Sequence, residues 1–451
     1  MPVYATVEST AATQLNPPPC LPRNAAHRTK RPWQGAVEPP QLDNRPEYDV
    51  NCYLCPGNTR AGGKLTEKYD GTYIFENDFA ALLPDRVSPS PPSSSNSAIS
   101  SLFRTEPARG KCFVICFSPR HNLTVAEMRD VEIERVVEAW IKLYEDVSRE
   151  NEWIRYIQIF ENKGAMMGCS NPHPHGQREY AHQHERVEGV PTLQVLLSLV
   201  SHSPSLSFPS ALFPKVVSRH GTMADSTFAY STNSLPSLLL TYAATEIATY
   251  RDDPNGKDSR VVHLGEHFVA LVPYWAGWPF EVVVIPFRSV AAVFFLRTLR
   301  LPGIPEDEML DGEVGIVLTC PGNSRHIPSL AYLKPEEKSD LARMLGAVGR
   351  RYDNLFESSF AYSMGVYQAP VHRPSADLAG PESEDAAAYA QLHVGFYPPL
   401  LRSSTVRKYL VGFELFAETQ RDITPEQAAQ RLRDQRVDEH YKAWVGKDVG
   451  K

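Results

Sequence analysis

No run of apolar residues in this 451-residue chain reaches the roughly 18–20 needed to cross a bilayer as a helix. The first residues lack a basic region followed by an apolar stretch, so no secretory leader is read and a cytoplasmic protein without a membrane partner is expected. Basic charge is in deficit. The 46 lysines and arginines face 53 aspartates and glutamates, and a net charge of −7 offers no field for nucleic acid. Cysteine is scarce and odd in number, seven in all, which argues against the disulfide framework of a small secreted fold. One Cys-x-x-Cys occurs, Cys52 and Cys55, and no second one follows it. In a reducing compartment that spacing suggests zinc or redox chemistry, and a metal would have to find its other ligands among histidines or carboxylates. The 42% hydrophobic and 22% charged content is ordinary for a soluble enzyme, and the length calls for two modules or one elaborated domain.

What is present centres on residues 161–177, which end in Pro172-His173-Pro174-His175-Gly176-Gln177. The alternating residues before them, 153–160, read as a half-buried strand. Pro172 and Pro174 bracket His173, forbid a helix there and push the backbone towards an extended form. Residues two apart in an extended chain face one side at about 6.5–7 Å, so His173 and His175 project together. One imidazole can bind a metal or orient its neighbour while the other acts as a neutral nucleophile or general base. Gln177 cannot titrate and suits donation of an amide hydrogen bond to a phosphoryl oxygen. Gly168, Ser170 and Gly176 offer backbone N–H groups and space to a phosphate.

Around this centre, Arg28 and Arg31 can grip phosphate by bidentate hydrogen bonds. Residues 73–83 read as a strand running into a turn, with Asn77 and Asp78 as the turn formers. Residues 128–149 carry Val131, Ile133, Val136, Val137, Trp140, Ile141, Leu143 and Tyr144 at helical spacing, an amphipathic helix for packing on a sheet. Thr424 is placed to cap a helix that opens at Pro425. Residues 1–26 are rich in proline and alanine and are expected to be disordered, and 88–101 form a Ser/Pro-rich loop.

These blocks together resemble the galactose-1-phosphate uridylyltransferase family of the histidine-triad superfamily. The resemblance covers roughly 27–177, 237–287 and the chain from His326 onward, and includes Tyr352-Asp353-Asn354-Leu355-Phe356 and Phe396-Tyr397-Pro398-Pro399-Leu400. It implies an α+β fold: two histidine-triad-like halves whose antiparallel sheets, with packed helices, form an extended half-barrel. It implies that His175 takes the uridylyl group from UDP-glucose and passes it to galactose 1-phosphate, with Gln177 and Ser170 on phosphoryl oxygens. Asn77 and Asp78 would meet the uridine with Phe79 beside the base, and Asn162 and Gly168 would shape the nucleotide pocket. Arg28 and Arg31 would bind phosphate partly across a subunit interface. Lys408, Val411, Phe413, Glu414 and Gln420 would bind the hexose phosphate in the neighbouring subunit's site, within a homodimer of shared active sites. Phe413 stands where the family usually has tyrosine. Cys52, Cys55, His121 and His173 would form one closed, structural zinc site.

The chain also departs from the family. Stretches near 178–236 and 288–325 have no counterpart there and read as surface insertions or translated introns, the first separating an N-terminal half (27–177) from a C-terminal half (237–451). A second metal site is expected to be lost, because Tyr367 and Gly395 stand where two of its histidines stand and its glutamate has no counterpart. Only His393 remains, and one ligand cannot hold a first-row metal. The rival readings are a nucleotide hydrolase or phosphorylase of the same superfamily, and a family member silenced by its insertions.

Overall fold

Helix α1 (Asp130–Glu150) buries Ile133, Val136, Val137, Trp140, Ile141, Leu143, Tyr144 and Val147 along one side. Asp130 and Glu132 occupy its first turn, and Glu132 accepts the N–H of Arg129 at 2.9 Å. Val131, read with the apolar face, is instead 53% exposed. It lies two residues from Ile133, about 200° around the helix, and so turns to solvent. The structure is a computed structural model describing residues 23–24, 45–85, 109–154, 156–181, 238–287, 327–369, 371, 391–399, 401–403, 406–407 and 420–444. The stretches 182–237 and 288–326, and with them most of the two segments expected to have no family counterpart, lie outside the described residues.

A two-residue strand, Arg23–Asn24 (β1), falls within the N-terminal stretch expected to be irregular. Then follow β2 (Tyr73–Glu76), β3 (Gly110–Cys116), α1, β4 (Tyr156–Lys163), β5 (His175–Ala181) and α2 (Leu238–Asp252). Next come β6 (Val261–Leu264), β7 (Phe268–Leu271), β8 (Val282–Pro286), α3 (Pro335–Phe356), β9 (Tyr362–Tyr367) and β10 (His393–Tyr397). The short strands β11 (Leu401–Ser403) and β12 (Val406–Arg407) pair with each other, and β13 (Gln420–Arg421) pairs in parallel with β1 before α4 (Pro425–Arg433). Thr424 caps α4 as its sequence predicts, its hydroxyl accepting from the Gln427 N–H at 3.2 Å.

Nine strands form one open sheet in the order β2-β3-β5-β4-β9-β10-β8-β7-β6, every neighbouring pair antiparallel. The unit β2-β3-α1-β4-β5, ordered β2-β3-β5-β4, recurs as β7-β8-α3-β9-β10, ordered β7-β8-β10-β9. The halves join where β4 meets β9, and the register keeps the repeat. One row across the sheet reads Val114, Gln177, Phe160, Gly365, Gly395, Val283, so Gln177 and Gly395 hold equivalent places. The two-half, antiparallel α+β architecture implied by the resemblance is therefore present as one continuous sheet.

The pleat divides β4 between two faces. Ile157, Ile159, Glu161 and Lys163 are buried beneath the helices, while Gln158, Phe160 and Asn162 are partly exposed on the other face. A single apolar core runs under both halves, from Ile115, Trp140 and Ile159 to Val284, Leu345, Tyr352 and Phe396. Charged residues enter this buried layer as well. Lys163 meets Asp353 at 2.9 Å, and Asp353, fully buried, also accepts the Phe360 N–H at 2.8 Å and approaches His440 Nε2 at 3.1 Å. Glu161 accepts the Tyr362 hydroxyl at 3.1 Å, and burial pushes its carboxyl up to about 7.

Asp353 thus ties β4, the strand at which the halves join, to α3 and to the C-terminal segment. Asp353→Ala is expected to destabilise the protein by about 3–5 kcal/mol, because Lys163 would be left buried without its carboxylate. Denaturant unfolding measures this, and a loss well under 1 kcal/mol would contradict it.

Candidate active site and metal centre

The first half places its chemistry where β3 and β5 converge on the loop at 51–58. That loop folds on itself: the Leu54 N–H reaches Cys52 Sγ at 3.4 Å, and Asn58 Nδ2 donates to the carbonyls of Asp49 and Cys52 at 2.9 and 2.8 Å. The ligand atoms of Cys52, Cys55, His121 and His173 all lie within 4.8 Å of one another, and all four residues are buried. His121 Nδ1 and His173 Nδ1 each stand 3.6 Å from Cys55 Sγ. A tetrahedral zinc ion with ordinary Zn–S and Zn–N bonds would separate sulfur and nitrogen by about 3.5 Å. The two thiols and two imidazoles therefore fit a four-coordinate metal.

Neighbours orient these ligands. His173 Nε2 lies 2.8 Å from the Ser118 carbonyl and 3.0 Å from the Tyr69 hydroxyl, which itself donates to the Leu54 carbonyl at 2.7 Å. A carbonyl requires a donor, so Nε2 carries the proton and Nδ1 turns its lone pair to the cluster. Burial lowers His173 to about 4 and pushes the Cys55 thiol up to about 11. The imidazole is thus neutral and ready as a ligand, whereas the thiol gives up its proton only to a cation.

His175 opens β5 opposite Cys116 of β3. Its Nδ1 lies 2.8 Å from the carbonyl of His173. Nδ1 is the donor there, which leaves the lone pair on Nε2. Burial holds His175 below the usual histidine range, so the ring is neutral at pH 7. Gly176 permits this packing, since a Cβ there would come within 2.9 Å of the Phe117 ring and 3.0 Å of the Phe160 carbonyl. Gln177 shares the half-exposed face with His175, between Val114 and Phe160. Extending the β4 register two residues brings Asn162 alongside His175, where its Oδ1 accepts the Ser363 hydroxyl at 2.6 Å. Gly168 and Ser170 are exposed on the loop between β4 and β5, Gly168 at φ 77° ending the turn at Ala165–Met167.

Asn77 and Asp78 follow β2. Asn77 makes the turn its residue type suggests, accepting the Phe79 N–H at 3.0 Å, and Phe79 is 73% exposed. Asp78 meets Arg60 at 3.4 Å, and that guanidinium also covers the Phe75 ring at 4.2 Å. Gln420 lies in β13, its strand partner being Arg23. Arg28, Arg31, Lys408, Val411, Phe413 and Glu414 lie outside the described residues. Sequence reasoning did not single out Tyr69, Arg60 or Asn171. Asn171 carried a readable signal, a side-chain amide two residues before His173 and suited to an Asx turn.

Among the described residues, the second half repeats the geometry with different side chains. His393 holds the place of His175, its Nδ1 2.9 Å from the Gln391 carbonyl. Tyr367 stacks on the His393 ring at 4.7 Å and 8°, and its hydroxyl meets that of Tyr397 at 3.3 Å. A Cβ on Gly395 would come within 2.8 Å of the Tyr397 ring, so aromatic side chains fill the position equivalent to Gln177. Burial lowers His393 to about 4.

Known proteins match the chain in sequence and in fold. The family described as galactose-1-phosphate uridyl transferase matches through its N-terminal domain over residues 7–185 and its C-terminal domain over 224–300 and 316–445. The galactose-1-phosphate uridylyltransferase of Cryptococcus neoformans var. neoformans serotype D (strain JEC21) is 40% identical over 413 residues, covering 90% of this chain and 85% of its own. The Saccharomyces cerevisiae enzyme of the same name is 38% identical over 420 residues, covering 92% and 91%. A solved uridylyltransferase mutant shares the fold at a TM-score of 0.55 and 20% identity, covering 85% of this chain and 93% of its own.

Zinc titrated into the metal-free chain at pH 7 in weak buffer is expected to acidify the solution, because buried thiols lose protons on ligation. Full uptake without proton release would show that Cys52 and Cys55 do not bind as thiolates.

Proposed function

The chain belongs to the galactose-1-phosphate uridylyltransferase family, and on that premise we propose that His175 Nε2 carries a uridylyl group from UDP-glucose to galactose 1-phosphate. One observation carries the reading: the 2.8 Å contact from His175 Nδ1 to the His173 carbonyl, which leaves Nε2 as the free nucleophile. Nε2 attacks the α-phosphorus of UDP-glucose, the bond to the β-phosphate oxygen breaks, and glucose 1-phosphate leaves. A phosphate oxygen of galactose 1-phosphate then attacks the same phosphorus, the N–P bond breaks, and UDP-galactose forms. The His173 carbonyl keeps the Nδ1 proton in place throughout and offsets the charge that builds on the ring during transfer.

The remaining groups bind and orient. Gln177 and Ser170 hydrogen-bond phosphoryl oxygens as charge shifts, while Asn162 and Gly168 bound the nucleotide pocket. The uridine lies against Asn77, Asp78 and Phe79, the exposed ring of Phe79 supporting a stacking role. Arg28 and Arg31 neutralise phosphate. Lys408, Val411, Phe413, Glu414 and Gln420 take the hexose phosphate from the neighbouring subunit of a homodimer. Cys52, Cys55, His121 and His173 hold one zinc ion, which supplies rigidity beneath the nucleophile because a closed four-ligand set leaves no position for substrate. The second half holds no metal, a reading supported by the tyrosines packed over His393 and Gly395. The reaction takes place in the cytoplasm; no helix among the described residues is long and apolar enough to cross a membrane.

Incubation with UDP-glucose alone is expected to raise the intact mass of the chain by one uridylyl group, in an acid-labile linkage absent from His175→Ala. A folded, zinc-loaded chain that forms no adduct would overturn the proposal. Because burial lowers the His175 pKa, the adduct-forming rate is expected to hold as pH falls through 6.5, the ordinary histidine value, and to decline only below it. Metal analysis is expected to find about one zinc per chain and no second stoichiometric metal.

A further inference from the structure

The geometry points to Asn171 as a positioning residue that aims the nucleophile by holding the backbone of His173 and braces itself on the Cys52 sulfur. This rests on the reading of His175 as nucleophile and of the four-residue cluster as a metal site. Asn171 is only 4% exposed, and its side chain faces the cluster. Its Oδ1 accepts the His173 N–H at 2.9 Å, and its Nδ2 lies 3.4 Å from Cys52 Sγ. The same sulfur is 3.5 Å from Oδ1, so the His173 N–H, which needs an acceptor, fixes which end of the amide points where, and a metal-bound thiolate, with no proton to give, accepts from Nδ2.

The neighbouring prolines make this contact decisive. Neither Pro172 nor Pro174 has an N–H, so over residues 172–174 the backbone offers one donor, that of His173. Asn171 holds it. The carbonyls are held as well: Pro172 accepts from Arg45, Pro174 from the Phe117 N–H at 2.9 Å, and His173 from His175 Nδ1 at 2.8 Å. Without the Oδ1 contact, the His173 N–H is buried and unpaired, and the segment can turn to seek water. Its carbonyl then moves away from His175 Nδ1, and the ring loses both its aim and its single tautomer.

Two variants of the full chain separate the ends of the amide. Asn171→Ala removes both contacts; Asn171→Asp keeps an acceptor for His173 N–H but replaces the Nδ2 donor beside Cys52 with a second, charged carboxylate oxygen. In the Ala variant, uridylyl-adduct formation is expected to slow about 10–100-fold with the UDP-glucose KM changed only a few-fold, as for removal of an outer partner of a metal ligand. Its zinc should pass faster to a chelator. The Asp variant should form adduct faster than the Ala variant and still release zinc faster than the unsubstituted chain. Nitrogen-15 NMR of His175 should show an Nδ1-protonated ring in the unsubstituted chain and a tautomer mixture in the Ala variant.

A zinc-loaded Ala variant with unchanged adduct rate and unchanged His175 spectrum would overturn the assignment, as would an Asp variant no faster than Ala. If the unsubstituted chain forms no adduct, the transferase reading has failed, and the His175 spectra decide the positioning role alone. If the Ala variant does not fold, zinc release from the Asp variant at the unsubstituted rate would overturn it.

Discussion

The site turns on one residue that is held at three points. The His173 side chain belongs to the buried thiol–imidazole cluster, its N–H is bound by Asn171, and its carbonyl receives the proton of His175 Nδ1. An imidazole can present either nitrogen, and a neutral ring is aimed only when one of them is committed elsewhere. Here the commitment is made to a backbone carbonyl flanked by two prolines, which have few other conformations to adopt. The buried cluster and His175 are therefore carried on one extended segment, and stiffness at His173 is passed on to His175.

The sheet shows how the two halves share a geometry and differ in their side chains. Both halves have the same strand order, and both put a histidine at the start of the inner strand with Nδ1 on a carbonyl two residues back. What differs is the company. Around His175 stand Gln177 and Asn162, and the neighbouring 51–58 loop brings two thiols. Around His393 the equivalent row holds Gly395 and the rings of Tyr367 and Tyr397, which close over it. The two halves are joined strand to strand at β4 and β9.

That junction is also where the buried charges lie. Lys163 on β4 reaches Asp353 on α3, so a polar contact crosses between the halves inside a mostly apolar layer. Charges removed from water are tolerated only when paired and hydrogen-bonded, and Asp353 is both. The contact specifies how the helix of one half sits on the joining strand of the other, beneath the end of β4 that carries Asn162.

Local rules in the chain determined much of this. Proline on both sides of His173 dictated an extended segment, and period 3.6 dictated α1, although Val131 shows that an apolar residue within the period can still face water. Thr424 and Pro425 marked a helix start, and the Cys-x-x-Cys spacing marked a knuckle. Through resemblance the sequence also named His121, 66 residues beyond Cys55, as a ligand. Only the tertiary structure decided that Cys52 and Asn171, 119 residues apart, touch, that Tyr69 stands over His173 Nε2, and that Asp78 answers to Arg60. The physical reason is range. Backbone preference and periodicity act over a few residues, whereas these contacts depend on strand register and on which faces of distant elements are pressed together by one shared core.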